Sequence, residues 1–284
     1  MQLILAVLLS VLATAKMCFQ SAISKKNVKN SADALYFNIL AFAVISIVFL
    51  PWMFNCSGAV WIYAAMAAIF TIGYQMFYTK ALSVGNVSLT VLAVNFGMVI
   101  NVIASYIFFD EKISAVRLVA IIMMIISFVV CNGTTEVKIS EKKWLVYAGV
   151  AMLTNSCASV VQKFFGESSY SDENRAFISC IYLMAALMSS VIYSIAKKNS
   201  QKTFKLNFDV IKYAVAVGVS LALYQLFFTY GLVHIDGTFL FPAQTGGTML
   251  LSTLSGVLIF KDKFTRKQIV GIILGFIALI LMNY

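Results

Sequence analysis

Charge is what this 284-residue sequence has least of: Asp, Glu, Lys and Arg make up 11% of it, and 61% is apolar. A soluble domain carries about 25% charged residues. Proline occurs only twice and histidine once. Together with a mean hydropathy of +0.92, these shortages exclude disordered chains, collagen, coiled coils and ordinary soluble enzymes. No Cys-x-x-Cys occurs. Cys18, Cys56, Cys131, Cys157 and Cys180 lie in or beside apolar runs without paired spacing, and His234 has no partner motif. Neither a disulfide framework nor a metal site is expected, and no cofactor. A domain of about 300 residues still exposes roughly a quarter of its unfolded surface, so this much apolar side chain requires lipid as the solvent.

What is there is a series of long apolar runs. A bilayer-spanning helix needs about 20 mostly apolar residues, and ten runs qualify: 3–23, 34–54, 58–80, 87–109, 113–132, 144–165, 174–196, 209–231, 237–260 and 266–283. They lack the period-2 alternation of a membrane barrel. The expected fold class is therefore an all-α polytopic membrane protein. The first run is too long for a signal-peptide core and has no basic start, so it reads as a retained helix.

The sequence repeats. Tyr74-Gln75-Met76-Phe77-Tyr78-Thr79 recurs as Tyr224-Gln225-Leu226-Phe227-Phe228-Thr229. Phe109-Asp110-Glu111-Lys112-Ile113-Ser114 recurs as Phe260-Lys261-Asp262-Lys263-Phe264-Thr265, and a weaker match sets Gln20 opposite Gln162. Five spans per copy is an odd number, so the second copy, residues 138–284, enters the membrane from the side opposite to the first, residues 1–137. Inverted repeats of this kind belong to secondary transporters that bind substrate at the midplane and open to each face in turn.

Ala81-Leu82 and Gly231-Leu232 close the third and eighth spans, and the two acidic turns quoted above follow the fourth and ninth. With the five-plus-five repeat, these residues resemble the EamA-type halves of the drug/metabolite transporter superfamily. Pro242, Asp262, Thr265 and Gln268-Ile269-Val270-Gly271 follow that pattern in the second half. The first half lacks the proline in the fourth span and the Trp-Gly in the first, and has Val119-Ala120 where Val-Gly is usual. The resemblance implies a ten-helix transporter of amino acids, drugs, nucleotide sugars or phosphorylated metabolites.

Of the 21 basic residues, sixteen fall in odd-numbered loops and four in even-numbered ones; Lys16 lies inside the first span. The net charge of +10 is thus a topology signal and not a nucleic-acid surface. By the positive-inside rule the odd loops are cytoplasmic and both termini face outward, in a multi-pass protein of the plasma membrane. The resemblance pulls the other way, toward cytoplasmic termini. A monomer or weak homodimer is expected.

Asp33, Asp110, Glu111, Asp172, Glu173, Asp209, Asp236 and Asp262 all fall at helix ends or in loops. Lys16 lies about three residues past the centre of its span and about seven from its end, roughly 10 Å at 1.5 Å per residue. Its stem covers only part of that distance, so Lys16 is expected to face a cavity and hold a carboxylate, phosphate or other negative group. Lys80 and Lys163 lie near helix ends and read as snorkelling cations. Gln75 and Gln225 are repeat-related amides, and Tyr74 and Tyr224 precede them. With Gln20, Gln162, Asn95 and Gln244 they complete the expected substrate-binding set. Asn101 and Asn155 read as interhelical hydrogen bonders. Pro242 and Gly246-Gly247 should weaken the ninth span opposite Ala93–Gly97.

The function these readings favour is a secondary transporter of small polar metabolites, amino acids or related carboxylates first. The alternative is an exporter of organic cations or drugs with an aromatic and amide-lined cavity. An enzyme is not expected, since no catalytic constellation falls within the spans.

Overall fold

A computed structural model describes residues 2–54, 56–85, 87–132, 139–198, 208–261 and 265–281. Its order is α1 (Gln2–Asn27), α2 (Ser31–Val48), the short α3 (Leu50–Met53), α4 (Gly58–Val84), α5 (Val87–Asn95), α6 (Met98–Phe108), α7 (Ala115–Asn132), α8 (Ile139–Gly166), α9 (Asn174–Lys198), α10 (Phe208–His234), α11 (Gly237–Leu258) and α12 (Arg266–Leu281). Among the described residues there is no strand. Seven helical stretches are long and apolar enough to cross a bilayer: Gln2–Asn27, Ser31–Val48, Gly58–Val84, Leu89–Phe108, Lys142–Gly166, Ser171–Ile195 and Phe208–His234. Two shorter apolar stretches, Ala115–Ser127 and Ile269–Ala278, lie in α7 and α12.

Local chemistry sets several boundaries. The α2 N-terminus carries a reciprocal capping box: the Asp33 amide donates to Asn30 Oδ1 at 2.9 Å and the Asn30 amide to Asp33 Oδ2 at 3.3 Å. The apolar run 34–54 breaks at Phe49, two residues before Pro51, which sits in the first turn of α3. The fourth run divides at Phe96-Gly97 into α5 and α6. By contrast α11 runs unbroken through Pro242 and Gly246-Gly247. The expected weak point therefore lies in the fourth span. Pro242 is the sixth residue of its helix, so its missing N–H frees only the carbonyl of Thr238, near the helix start.

α11 is long enough to span a bilayer but is not among those seven apolar stretches, and the reason is its place. It packs on α1, α5, α6 and α12 and buries residues on every side, among them Thr238, Gln244, Thr245, Thr248 and Ser252. Walled by protein, that part of the helix needs no lipid-facing stripe, and the outward Leu254 and Leu258 come only near its end. The outward faces are different: Ile4 is 73% exposed, Ile62 66% and Val191 63%. In water such a surface would aggregate; in a bilayer it is the solvated face.

The packing of the bundle is paired. α1 lies on α10 and α11, and α8 lies on α4, α5 and α6; α4 packs on α9 as α10 packs on α2. α2 meets α9, and α7 meets α12. Small residues allow close approach at these seams. Gly97 lies against Ser156 and Met152 of α8, and Gly247 against Ser10 of α1. At Gly218 a Cβ would sit 2.7 Å from Val44 and 3.0 Å from the Ala41 carbonyl.

Candidate functional site

Between α1, α4, α5, α6, α8, α9, α10 and α11 lies a cavity of about 100 Å³. By the same measure one water needs about 10–15 Å³, so the space holds a small molecule or a cluster of waters. Its wall contains Lys16 from α1; Thr71, Tyr74, Gln75 and Tyr78 from α4; and Asn95 and Asn101 from the broken fourth span. α8 adds Asn155, Ala158, Ser159 and Gln162, α9 adds Tyr182, α10 adds Tyr224, Gln225 and Phe228, and α11 adds Phe241, Gln244, Thr245 and Thr248.

Eight of the nine residues singled out from the sequence therefore face one space: Lys16, Tyr74, Gln75, Asn95, Gln162, Tyr224, Gln225 and Gln244. Gln20 does not. It is fully buried one turn beyond Lys16, where its Nε2 donates to Gln75 Oε1 at 3.2 Å and to Thr79 Oγ1 at 2.8 Å. Its place is behind the wall, orienting Gln75. In the other half the matching contact runs from Gln225 Nε2 to Gln162 Oε1 at 3.3 Å. Thr79 and Thr229 each donate to the carbonyl of the glutamine one turn earlier, both at 2.6 Å.

Lys16 is 6% exposed. Its Nζ donates to the Tyr74 hydroxyl at 3.3 Å and lies 4.8 Å from the Tyr74 ring centroid and 5.3 Å from that of Tyr78. Ring faces and one hydroxyl are weak company for an ammonium. No Asp or Glu is among the residues that line the cavity. Two aromatic pairs one helical turn apart line it, Tyr74–Tyr78 with centroids 5.4 Å apart and Tyr224–Phe228 with centroids 5.3 Å apart.

Asn101 and Asn155, read from the sequence as interhelical bonders, both line the cavity, and the buried Asn101 Oδ1 has no hydrogen-bond partner. The amide nitrogen of Asn95 is likewise buried without a partner. Sequence reasoning missed Tyr78, Phe228 and Tyr182. The first two lie one helical turn after Tyr74 and Tyr224, inside the repeated motif, so the 3.6-residue period would have found them. Tyr182 carried no such signal.

Lys163 does not snorkel. It is 3% exposed and pairs with Glu111 Oε1 at 3.1 Å, Glu167 Oε1 at 2.7 Å and the Leu232 carbonyl at 3.2 Å. Glu111, in the turn after α6, also accepts the N–H groups of Gly237 and Thr238, at 2.9 and 2.8 Å, at the start of α11. Burial raises the Glu111 pKa, but the two backbone donors and Lys163 outweigh it and hold the carboxyl below its ordinary value. Asp110 just before it has a positive φ of 53°. Lys261, at the corresponding place in the second acidic turn, has a φ of 56°. Asp262, the counterpart of Glu111, lies outside the described residues, as do the side chains of Phe128, Val129, Cys131 and Gln268. Lys80 Nζ donates to Ser31 Oγ at 2.9 Å and lies 4.4 Å from the Tyr147 ring centroid near the end of α4.

The family model of the EamA-like transporter family matches residues 4–133 and again 142–284. A solved crystal structure is similar over 97% of this chain and 98% of its own, with a TM-score of 0.70 at 16% identity, a likeness of fold alone. No curated protein matches.

Proposed function

Starting from a chain that belongs to the EamA-like transporter family, within the drug/metabolite transporter superfamily, and so from a multi-pass membrane transporter of small molecules, we propose a secondary transporter of small carboxylate-bearing metabolites. Amino acids are the first candidates. The observation that carries this is Lys16: a cation on the cavity wall whose neighbours are tyrosines and amides and whose wall contains no acid. A substrate carboxylate supplies the missing counter-charge, and the paired amides Gln75 and Gln225 then read its neutral polar groups. Matching the helices by their glutamines, Gln20 with Gln162, sets Ala158 opposite Lys16. The cation is thus present on one side of the cavity only, which orients a substrate with one negative end.

We further propose ten spans in two inverted five-helix repeats, 1–137 and 138–284. Support comes from the double family match, the paired helix packing, the twin glutamine–threonine contacts and the twin left-handed residues Asp110 and Lys261. Rocking of the halves about the cavity then gives alternating access. The aromatic wall of Tyr74, Tyr78, Tyr182, Tyr224, Phe228 and Phe241 favours a second reading, export of flat organic cations, which Lys16 opposes by repulsion.

L-Glutamine and L-phenylalanine, one suited to the amides and the other to the aromatic wall, test the proposal in proteoliposomes. Wild type should take up at least one of them, and Lys16→Ala should lower that uptake about tenfold or more, the order of one hydrogen bond to a charged group. Its melting temperature should hold, because deleting an unpaired buried charge removes a cost. Uptake of a quaternary ammonium dye that rises in Lys16→Ala, with no amino-acid uptake by wild type, would move the assignment to the cation reading.

A further inference from the structure

The cluster around Glu111 has no part in the cavity, yet it ties together three chain segments by charge and hydrogen bonds at one end of the bundle. Glu111 comes from the turn between α6 and α7, Lys163 from the end of α8, and the donors Gly237 and Thr238 from the start of α11. Lys163 reaches a fourth, the end of α10, through the Leu232 carbonyl. The first belongs to residues 1–137 and the others to 138–284. All four ends lie at one end of the bundle, the end formed by the even-numbered turns.

The geometry is that of a fastening. A helix N-terminus presents free N–H groups and a partial positive charge. Glu111 fills both places with both carboxylate oxygens, while a buried ammonium neutralises it from the side. A glutamine at 111 cannot reproduce this, having one acceptor oxygen and an NH2 that would point at an N–H or at Lys163. The left-handed Asp110 turns the chain so that Glu111 faces back across the seam. The opposite end of the bundle lacks the equivalent cation in sequence: the repeat sets Ser21 where Lys163 stands.

We infer that Glu111, Lys163 and the α11 N-terminus form an electrostatic lock that holds the two halves together on this face, so that the cavity opens here only when Glu111 lets go. The lock rests on the alternating-access reading but on no particular substrate and not on Lys16. It also makes the cycle asymmetric, since the repeat supplies a lysine at position 163 on this face and a serine at position 21 on the other.

Ser159 lines the cavity. In protein whose native cysteines are replaced, Ser159→Cys can be labelled with a membrane-impermeant maleimide added to one side of oriented vesicles at a time. With Glu111 intact, labelling from the Glu111 face should be slow and that from the other face faster. Glu111→Gln should raise the rate from the Glu111 face about tenfold, the order expected for a lost hydrogen bond to charge, and lower it from the other. Lys163→Met, which leaves the helix cap in place, should move both rates the same way by less, and it serves where Glu111→Gln folds poorly. Rates that respond to neither variant, or that rise together on both faces, overturn the lock and leave alternating access standing. A cysteine at 159 that is reached from one face only in every variant overturns alternating access, and the lock with it.

Discussion

A buried lysine costs most when nothing balances it, and the two lysines buried among the described residues stand at opposite poles of that rule. Lys163 has two carboxylates and a carbonyl within 3.2 Å; Lys16 has a phenol and two ring faces. The first is a structural charge and the second is available to a ligand. The contrast fixes what pH should do. The carboxyl of Glu111 is held below its ordinary value of 4.5, so its contribution is fully present above that value and is lost as pH falls through the depressed one. The charged groups beside it are Lys163 and Glu167 of α8, with Arg117 reaching the same helix start through Thr238. The melting temperature of wild type minus that of Glu111→Gln should stay constant between about pH 8 and pH 5, and shrink at lower pH. A difference that vanishes near neutrality would place the proton elsewhere. At this scale the sequence was half legible. A charge deep in an apolar run marks itself, so Lys16 could be read. Lys163 could not, because a lysine near a helix end looks the same whether its end meets water or meets three other chain ends.

At the scale of elements, periodicity and length located the helices, while their breaks followed packing. Pro242 and Gly246-Gly247 carry the strongest breaking signals in the chain, yet α11 stays whole, because its proline falls just after the first turn and protein surrounds the stretch that holds all three residues. The division came instead at Phe96-Gly97, where Ser156 of α8 donates to the Gly97 carbonyl at 3.0 Å and so shares with the Asn101 amide an acceptor inside the helical ladder. No single-helix signal contains that partner. The same closeness makes a prediction at Gly218, between α10 and α2. A methyl there meets Val44 and a backbone carbonyl, and the carbonyl cannot swing aside. Gly218→Ala gains helix propensity, worth about 1 kcal/mol, but overpacking costs typically about 1–3 kcal/mol. The net should be a lower melting temperature in detergent. Gly149, whose added methyl meets nothing within 4 Å, is the control: Gly149→Ala should raise it.

At the scale of the whole molecule, the placing of Lys and Arg predicts which end of the bundle faces the cytoplasm. Sixteen basic residues in odd-numbered loops against four in even ones is a large bias, and insertion reads Lys and Arg close to the spans far more strongly than acids. Folded geometry partly discounts the count. Lys163 is neutralised within the lock and Lys26 is paired with Asp209 at 2.8 Å, one from each end. These pairs remove one cation from each tally, so the imbalance survives them, and the orientation we propose from it has the termini, Glu167 and the lock on the outer surface. A reporter active only in the cytoplasm, fused after Tyr284, should be silent, and the same reporter inserted between Lys198 and Lys202 should be active. The reverse pattern would turn the molecule over and place the Glu111 lock on the cytoplasmic face. The cavity and Lys16 would keep their roles unchanged, because a carrier that works by rocking two opposed halves presents the same site to either side.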